Sequence, residues 1–185
     1  MKAFPRIFFI FLALSIAVLS IRGAEPLRVQ NFEGGLSLFR LSHPINSIKG
    51  SESYVDFCLL PSAEIRFNFP NTPWDLGILY SYMDASYSED PGCAADNESV
   101  LIGVCSHYNL RQGRKVNPFF GLATGVAIFS SHGFRHTGFA VEPRIGVEFV
   151  HHIRLSLECQ ISRKHYNAVG LTLGFVIGGR PKKTK

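Results

Sequence analysis

From Gly34 onward, apolar and polar side chains alternate along the chain with a period of two rather than 3.6, and turn-rich stretches punctuate the alternation. Each such segment predicts a strand with one apolar and one polar face. The cleanest is Ala63 to Phe69, where Ala63, Ile65, Phe67 and Phe69 point one way and Glu64, Arg66 and Asn68 the other, before a Pro70-Asn71-Thr72-Pro73 turn. Trp74, Leu76, Ile78, Tyr80 and Tyr82 then alternate with Asp75, Gly77, Leu79 and Ser81. Further segments run from Ser99 to Tyr108, Asn117 to Phe129, Phe139 to Phe149, Ile153 to Ile161 and Ala168 to Ile177, with a tight turn at His151-His152 between the sixth and seventh. A weaker first segment, Gly35 to Leu41, brings the number to eight, and no long helical pattern competes.

Eight amphipathic strands close either into a soluble barrel with an apolar interior or into a membrane barrel with an apolar exterior. Side-chain size decides between them, because an eight-stranded barrel leaves little room inside. Gly77, Gly103, Gly121, Ala123, Gly125, Ala127, Gly146, Gly170 and Gly174 all lie on the polar face, so that face is predicted to be the crowded interior. On the bulky face, five apolar side chains over nine residues span about 30 Å of strand, or about 23 Å after tilting, the height of an outer-membrane apolar band. Trp74, Tyr82, Tyr108, Phe119, Phe139, Phe149 and Tyr166 fall near segment ends and are predicted to form interfacial girdles. The fold expected is all-β, an eight-stranded antiparallel up-and-down transmembrane β-barrel. Its even strand number puts both termini on the periplasmic side, with short turns at 70–73, 109–116 and 150–152 and longer outer loops at 42–62, 83–98 and 130–138. The loop at 163–166 is short and departs from this trend.

The ends change the reading of charge. Lys2 and Arg6 precede the apolar run Ile7 to Leu19, which has the length of a signal-peptide core and is short for a membrane-spanning helix. Residues 1–24 are therefore expected to be a signal peptide, 25–178 the barrel domain and 179–185 a basic tail, with no cysteine near the cleavage region to carry a lipid. The formal charge of +5 falls to +2 without Lys2, Arg6 and Arg22, and to −2 without Arg180, Lys182, Lys183 and Lys185. A body of that charge gives no support for nucleic-acid binding. Cys58, Cys93, Cys105 and Cys159 show no C-x-x-C spacing and do not suggest zinc. Export permits disulfides, and Cys58 and Cys93, both in expected loops, form a candidate pair among connectivities that sequence leaves open.

Two stretches carry a resemblance: Asn117-Pro118-Phe119-Phe120-Gly121-Leu122-Ala123-Thr124-Gly125-Val126 and Gly170-Leu171-Thr172-Leu173-Gly174-Phe175. With the eight-segment pattern over roughly residues 30 to 178, the chain resembles the small outer-membrane β-barrel families, OmpA-like and OmpX-like barrels and the porin-type β-barrel domains of Bacteroidetes. The resemblance implies location in a bacterial outer membrane, contact with outer-membrane lipid, and delivery by the barrel insertion machinery. The chain departs from the usual ending of such barrels, because a basic tail follows in place of a terminal aromatic residue.

The polar face carries Glu64, Arg66, Asp75, Glu142, Arg144, Glu148, Arg154 and Glu158. In a narrow lumen these charges must pair, so they are expected to form an internal network that fills the barrel instead of lining an open pore. No cofactor or metal is expected. His151 and His152 are adjacent at a turn, and the acidic residues Asp84, Glu89, Asp90, Asp96 and Glu98 lack a calcium-loop spacing. The resulting expectation is a non-enzymatic barrel that meets surface ligands through its outer loops. One alternative is a lipid A-modifying deacylase or acyltransferase drawing on Ser106, His107, Ser156, Glu158, His165 and Tyr166, although no serine, histidine and acid form a motif. The other is a secreted soluble barrel with a small apolar ligand inside, which requires the bulky face to turn inward.

Overall fold

The computed structural model describes residues 32–45, 52–53, 55–70, 72–84, 87–90, 93–95, 97–112, 114–131, 134–162 and 167–178. The expected signal peptide, the basic tail, His165 and Tyr166 lie outside them. In chain order the strands are β1 (Phe32–Pro44), β2 (Glu52–Ser53), β3 (Asp56–Leu59), β4 (Ser62–Asn68), β5 (Trp74–Asp84), β6 (Tyr87–Asp90), β7 (Cys93–Ala95), β8 (Asn97–Asn109), β9 (Val116–Ser131), β10 (Phe134–Phe149), β11 (Ile153–Ser162) and β12 (Asn167–Gly178). The main sheet runs β12-β11-β10-β9-β8-β5-β4-β1, each pair antiparallel, and β12 returns to pair with β1. The sheet is thus a closed barrel of eight staves, because β3 and β4 form one stave that pairs with β1 along two stretches.

That stave is broken at Leu60-Pro61. Leu60 takes a left-handed backbone, φ 51°, and its N–H donates to the Leu38 carbonyl at 2.8 Å, while Pro61 has no N–H for the ladder. On β1 the pairing with β12 slips between Ser37 and Phe39 at the same level. The break places Cys58 on β3, facing the lumen beside Arg40, and not in a loop as the sequence suggested. Cys58 is a free thiol, and the expected pairing with Cys93 lies on a side chain outside the described ones.

Beyond the apolar band the strands continue further than hydropathy predicts. β9 and β10 run on to Ser131 and Phe134, so the expected loop at 130–138 is largely a hairpin extension. Arg135, His136 and Thr137 are all exposed there: once both faces meet water, alternation no longer marks a strand. The expected loops 42–62 and 83–98 shrink in the same way, and β2, β6 and β7 join them in a three-stranded sheet outside the barrel.

The inside-outside assignment follows side-chain size. Ile65, Ile78, Leu122 and Phe139 are 49–64 % exposed, whereas Arg66 on the opposite face is 1 % exposed. At the end holding Phe32 and Gly178, Trp74 meets Tyr108 edge-on at 5.0 Å and Tyr108 stacks on Phe120 at 5.1 Å. Phe32, Phe67 and Phe69 form a second such group. This is an aromatic girdle, but Phe119 is not part of it: it shares the parity of Gly121 and Ala123 and is buried in the lumen at 1 % exposure.

Two close approaches require glycine. A Cβ on Gly121 would stand 2.2 Å from Cδ2 of His107, and one on Gly103 would stand 2.1 Å from the Thr124 carbonyl oxygen. We therefore expect Gly121→Val to prevent recovery of the folded barrel, read as loss of the slow-to-fast gel mobility difference between boiled and unboiled protein. On the outer face, Leu122→Arg near mid-height is expected to lower stability in vesicle-based urea unfolding by about 2–4 kcal/mol, and Val116→Arg at the strand end by about 0–1 kcal/mol.

Candidate functional site in the barrel lumen

Alternation along the staves delivers every second side chain into a narrow space, many of them charged or polar. Four guanidiniums, those of Arg40, Arg66, Arg144 and Arg154, meet six carboxylates, those of Glu33, Glu64, Asp75, Glu142, Glu148 and Glu158, all buried. Arg66 on β4 sits at the centre of the end that carries Phe32 and Gly178. Its Nη1 is 2.9 Å from Asp75 Oδ2, its Nε 3.3 Å from Glu64, its Nη2 3.4 Å from Glu148, and Nη2 also pairs with Glu33. Arg154 on β11 pairs with Glu64 and Glu148 and lies with its guanidinium carbon 4.5 Å from the Phe119 ring centroid.

At mid-height, Arg144 bridges Glu64 at 2.9 Å, Glu142 at 2.9 Å and Glu158 at 3.1 Å. Arg40 pairs with Glu158 and donates to Thr172 Oγ1 at 2.9 Å and Ser81 Oγ at 3.0 Å. Ser81 in turn donates to Glu142, and Ser156 and Thr172 to Glu158. Glu64 thus joins Arg66, Arg144 and Arg154, and Glu158 joins Arg40 and Arg144, so the eight charges read from the sequence lie in one continuous cluster.

Glu33 and Arg40 complete this cluster and were missed. The first strand begins before the alternation becomes visible, and the slip between Ser37 and Phe39 shifts parity, so that Glu33 and Arg40 both face inward despite their odd and even numbers. His107 was weighed only as a catalytic base. It is fully buried, with Nδ1 3.0 Å from Asp75 Oδ1 and its ring edge-on to Phe119 at 5.3 Å. Ser106, its neighbour, points to the opposite face and donates to the Asp75 carbonyl at 2.7 Å, while Ser156 is bonded to Glu158. Adjacent strand residues diverge, so Ser106 and His107 do not meet.

Toward the outer loops the charges give way to neutral side chains, the buried Ser42, Ser99 and Gln160 among them. Leu79, Leu101, Cys105, Ala123, Ala127 and Ala140 pack together, and Phe129 links them to Met83 and Ala168. Two spaces inside are small. Those beside Ser37, Arg144 and Glu158, and beside Glu33, Asn117 and Glu148, each have a volume of about 10 Å³, at the lower limit for one water. The large depression, about 1040 Å³, has on its rim the outward-facing Leu36, Ile65, Ile78, Ile102 and Phe175. A soluble barrel with an apolar ligand inside is incompatible with this arrangement, since the bulky side chains face outward.

No family model and no curated protein sequence matches the chain. Among solved structures, Neisserial surface protein A is similar over 80 % of this chain and 97 % of its own, with a TM-score of 0.52 and 12 % identity. Ail of Yersinia pestis covers 80 % of this chain and 99 % of its own at 13 % identity and TM-score 0.45. The outer membrane protein OprG of Pseudomonas aeruginosa covers 84 % and 98 % at 10 % identity and TM-score 0.44. With a closed sheet that leaves no backbone edge, a bulky apolar belt outside and a charged interior, the chain has the fold of the small eight-stranded outer-membrane β-barrels.

Proposed function

We propose that this protein is a non-enzymatic outer-membrane barrel, closed to solutes by its own side chains, that acts through the loops it holds above the membrane. The observation that carries the reading is the filled lumen: ten buried charges joined by ion pairs, capped by Met83, Phe129 and Ala168, with spaces of about 10 Å³ between them. A pore needs a continuous water path, and a hydrolase needs a nucleophile beside a base. The rigid barrel instead presents β2, β6 and β7, a platform built from two different loops, to the outside.

Four measurements test this. Protein reconstituted in planar bilayers is expected to give no conductance steps, and regular steps would overturn the closed reading. Mass spectra of lipid A after incubation with the reconstituted protein are expected to be unchanged; gain or loss of an acyl chain would overturn the non-enzymatic one. Arg154→Met leaves Glu148 with Arg66 alone, at 3.4 Å, and removes one of the three cations around Glu64, so it is expected to cost about 3–5 kcal/mol in urea unfolding. Because that variant's lumen holds three more carboxylates than guanidiniums, any leak through it is expected to select cations, read from the reversal potential in a salt gradient.

A further inference from the structure

The end of the barrel that carries Phe32 and Gly178 is ringed by short turns, the arrangement of the periplasmic side in outer-membrane barrels. The β8–β9 turn there holds three exposed cations, Arg111, Arg114 and Lys115. The turn is fixed by bonds from its backbone N–H groups: Arg111 N–H donates to the Asn117 side-chain Oδ1 at 3.0 Å, Arg114 N–H to the Arg111 carbonyl at 3.0 Å, and Leu110 N–H to the Pro118 carbonyl at 2.9 Å. Lys115 is tied sideways to the next turn, its carbonyl accepting from Val150 N–H at 2.6 Å. None of the three cations is ion-paired among the described residues. The nearest acids at this end, Glu33, Asp75 and Glu148, are buried in the lumen and engaged by Arg66 and Arg154.

Depth identifies what such a cluster meets. Tyr108, three residues before Arg111, belongs to the stack with Trp74 and Phe120 that marks the membrane boundary on this side. Asn109 N–H donates to the Pro73 carbonyl at 2.7 Å, which holds the start of β5, with Trp74, against the base of the turn. The cations therefore stand just outside the apolar belt, at the level of phosphodiester headgroups. We propose that Arg111, Arg114 and Lys115 form a binding site for the headgroup of an anionic glycerophospholipid in the inner leaflet, whose acyl chains lie against the Trp74-Tyr108-Phe120 stack. Zwitterionic headgroups carry no net charge for the three cations to attract, so the site discriminates by charge.

The chain has a single tryptophan, Trp74, inside the proposed site. The full protein is folded into phosphatidylcholine vesicles containing an equal fraction of either brominated phosphatidylglycerol or brominated phosphatidylcholine, and quenching of Trp74 gives the relative binding constant. A preference of about fivefold for the anionic lipid is expected at low salt, the factor one cation contributes at an anionic surface, falling toward unity at 1 M salt. The combined variant Arg111→Gln, Arg114→Gln, Lys115→Gln is expected to lose the preference while keeping its heat-dependent gel mobility. Equal quenching by the two lipids in the unaltered protein overturns the proposal, as does a preference that survives 1 M salt, a readout that needs no variant to fold. A preference unchanged in the folded variant overturns it in favour of the basic residues beyond Gly178. Retention on isolated peptidoglycan without lipid preference overturns it in favour of the cell wall.

Discussion

The pairing of β12 with β1 is the constraint on which the rest of this molecule depends. In hydrocarbon no water satisfies an open sheet edge, so a β structure crosses a membrane only when its last strand bonds its first. Eight staves then fix a diameter, and the diameter leaves an interior that side chains alone can fill. From there the sequence has few choices. Glycine and alanine must recur at inward positions, long side chains must interlock across the axis, and every charge drawn inside must find a partner.

The sequence-level reading follows from the same constraint, and its failures have physical causes. Alternation with glycine on the polar face was enough to assign the architecture, the inward face and eight of the ten buried charges. Where both strand faces meet water, as at Arg135 and Thr137, alternation carries no information, so the strand ends and the small sheet of β2, β6 and β7 were invisible. Where the ladder slips, between Ser37 and Phe39 and at Leu60-Pro61, parity resets, and Arg40 and Cys58 escaped assignment. Phe119 was misplaced for a different reason: nearness to a strand end suggested a membrane interface, whereas parity alone places it under Arg154.

The lumen is zoned along its axis. At the end that carries Phe32 and Gly178, Arg66 and Arg154 are each surrounded by several carboxylates; toward the loops, Met83, Phe129 and alanines take over. An apolar layer shields the ion pairs beneath it from water, and in a poorly hydrated interior those pairs attract more strongly than at a surface. Inward leucines such as Leu79 and Leu101 are therefore part of the same device as the charges, although by composition alone they read as ordinary strand residues.

Arg40 lies on the first stave, while its partners Glu158 and Thr172 lie 118 and 132 residues later. Without the last two staves, that guanidinium has no counter-charge. A partly inserted sheet is thus electrostatically incomplete as well as open-edged, and the two deficits vanish together at closure. Intermediates short of the full barrel gain little, so assembly approaches all-or-none behaviour, with the final hairpin acting as its latch.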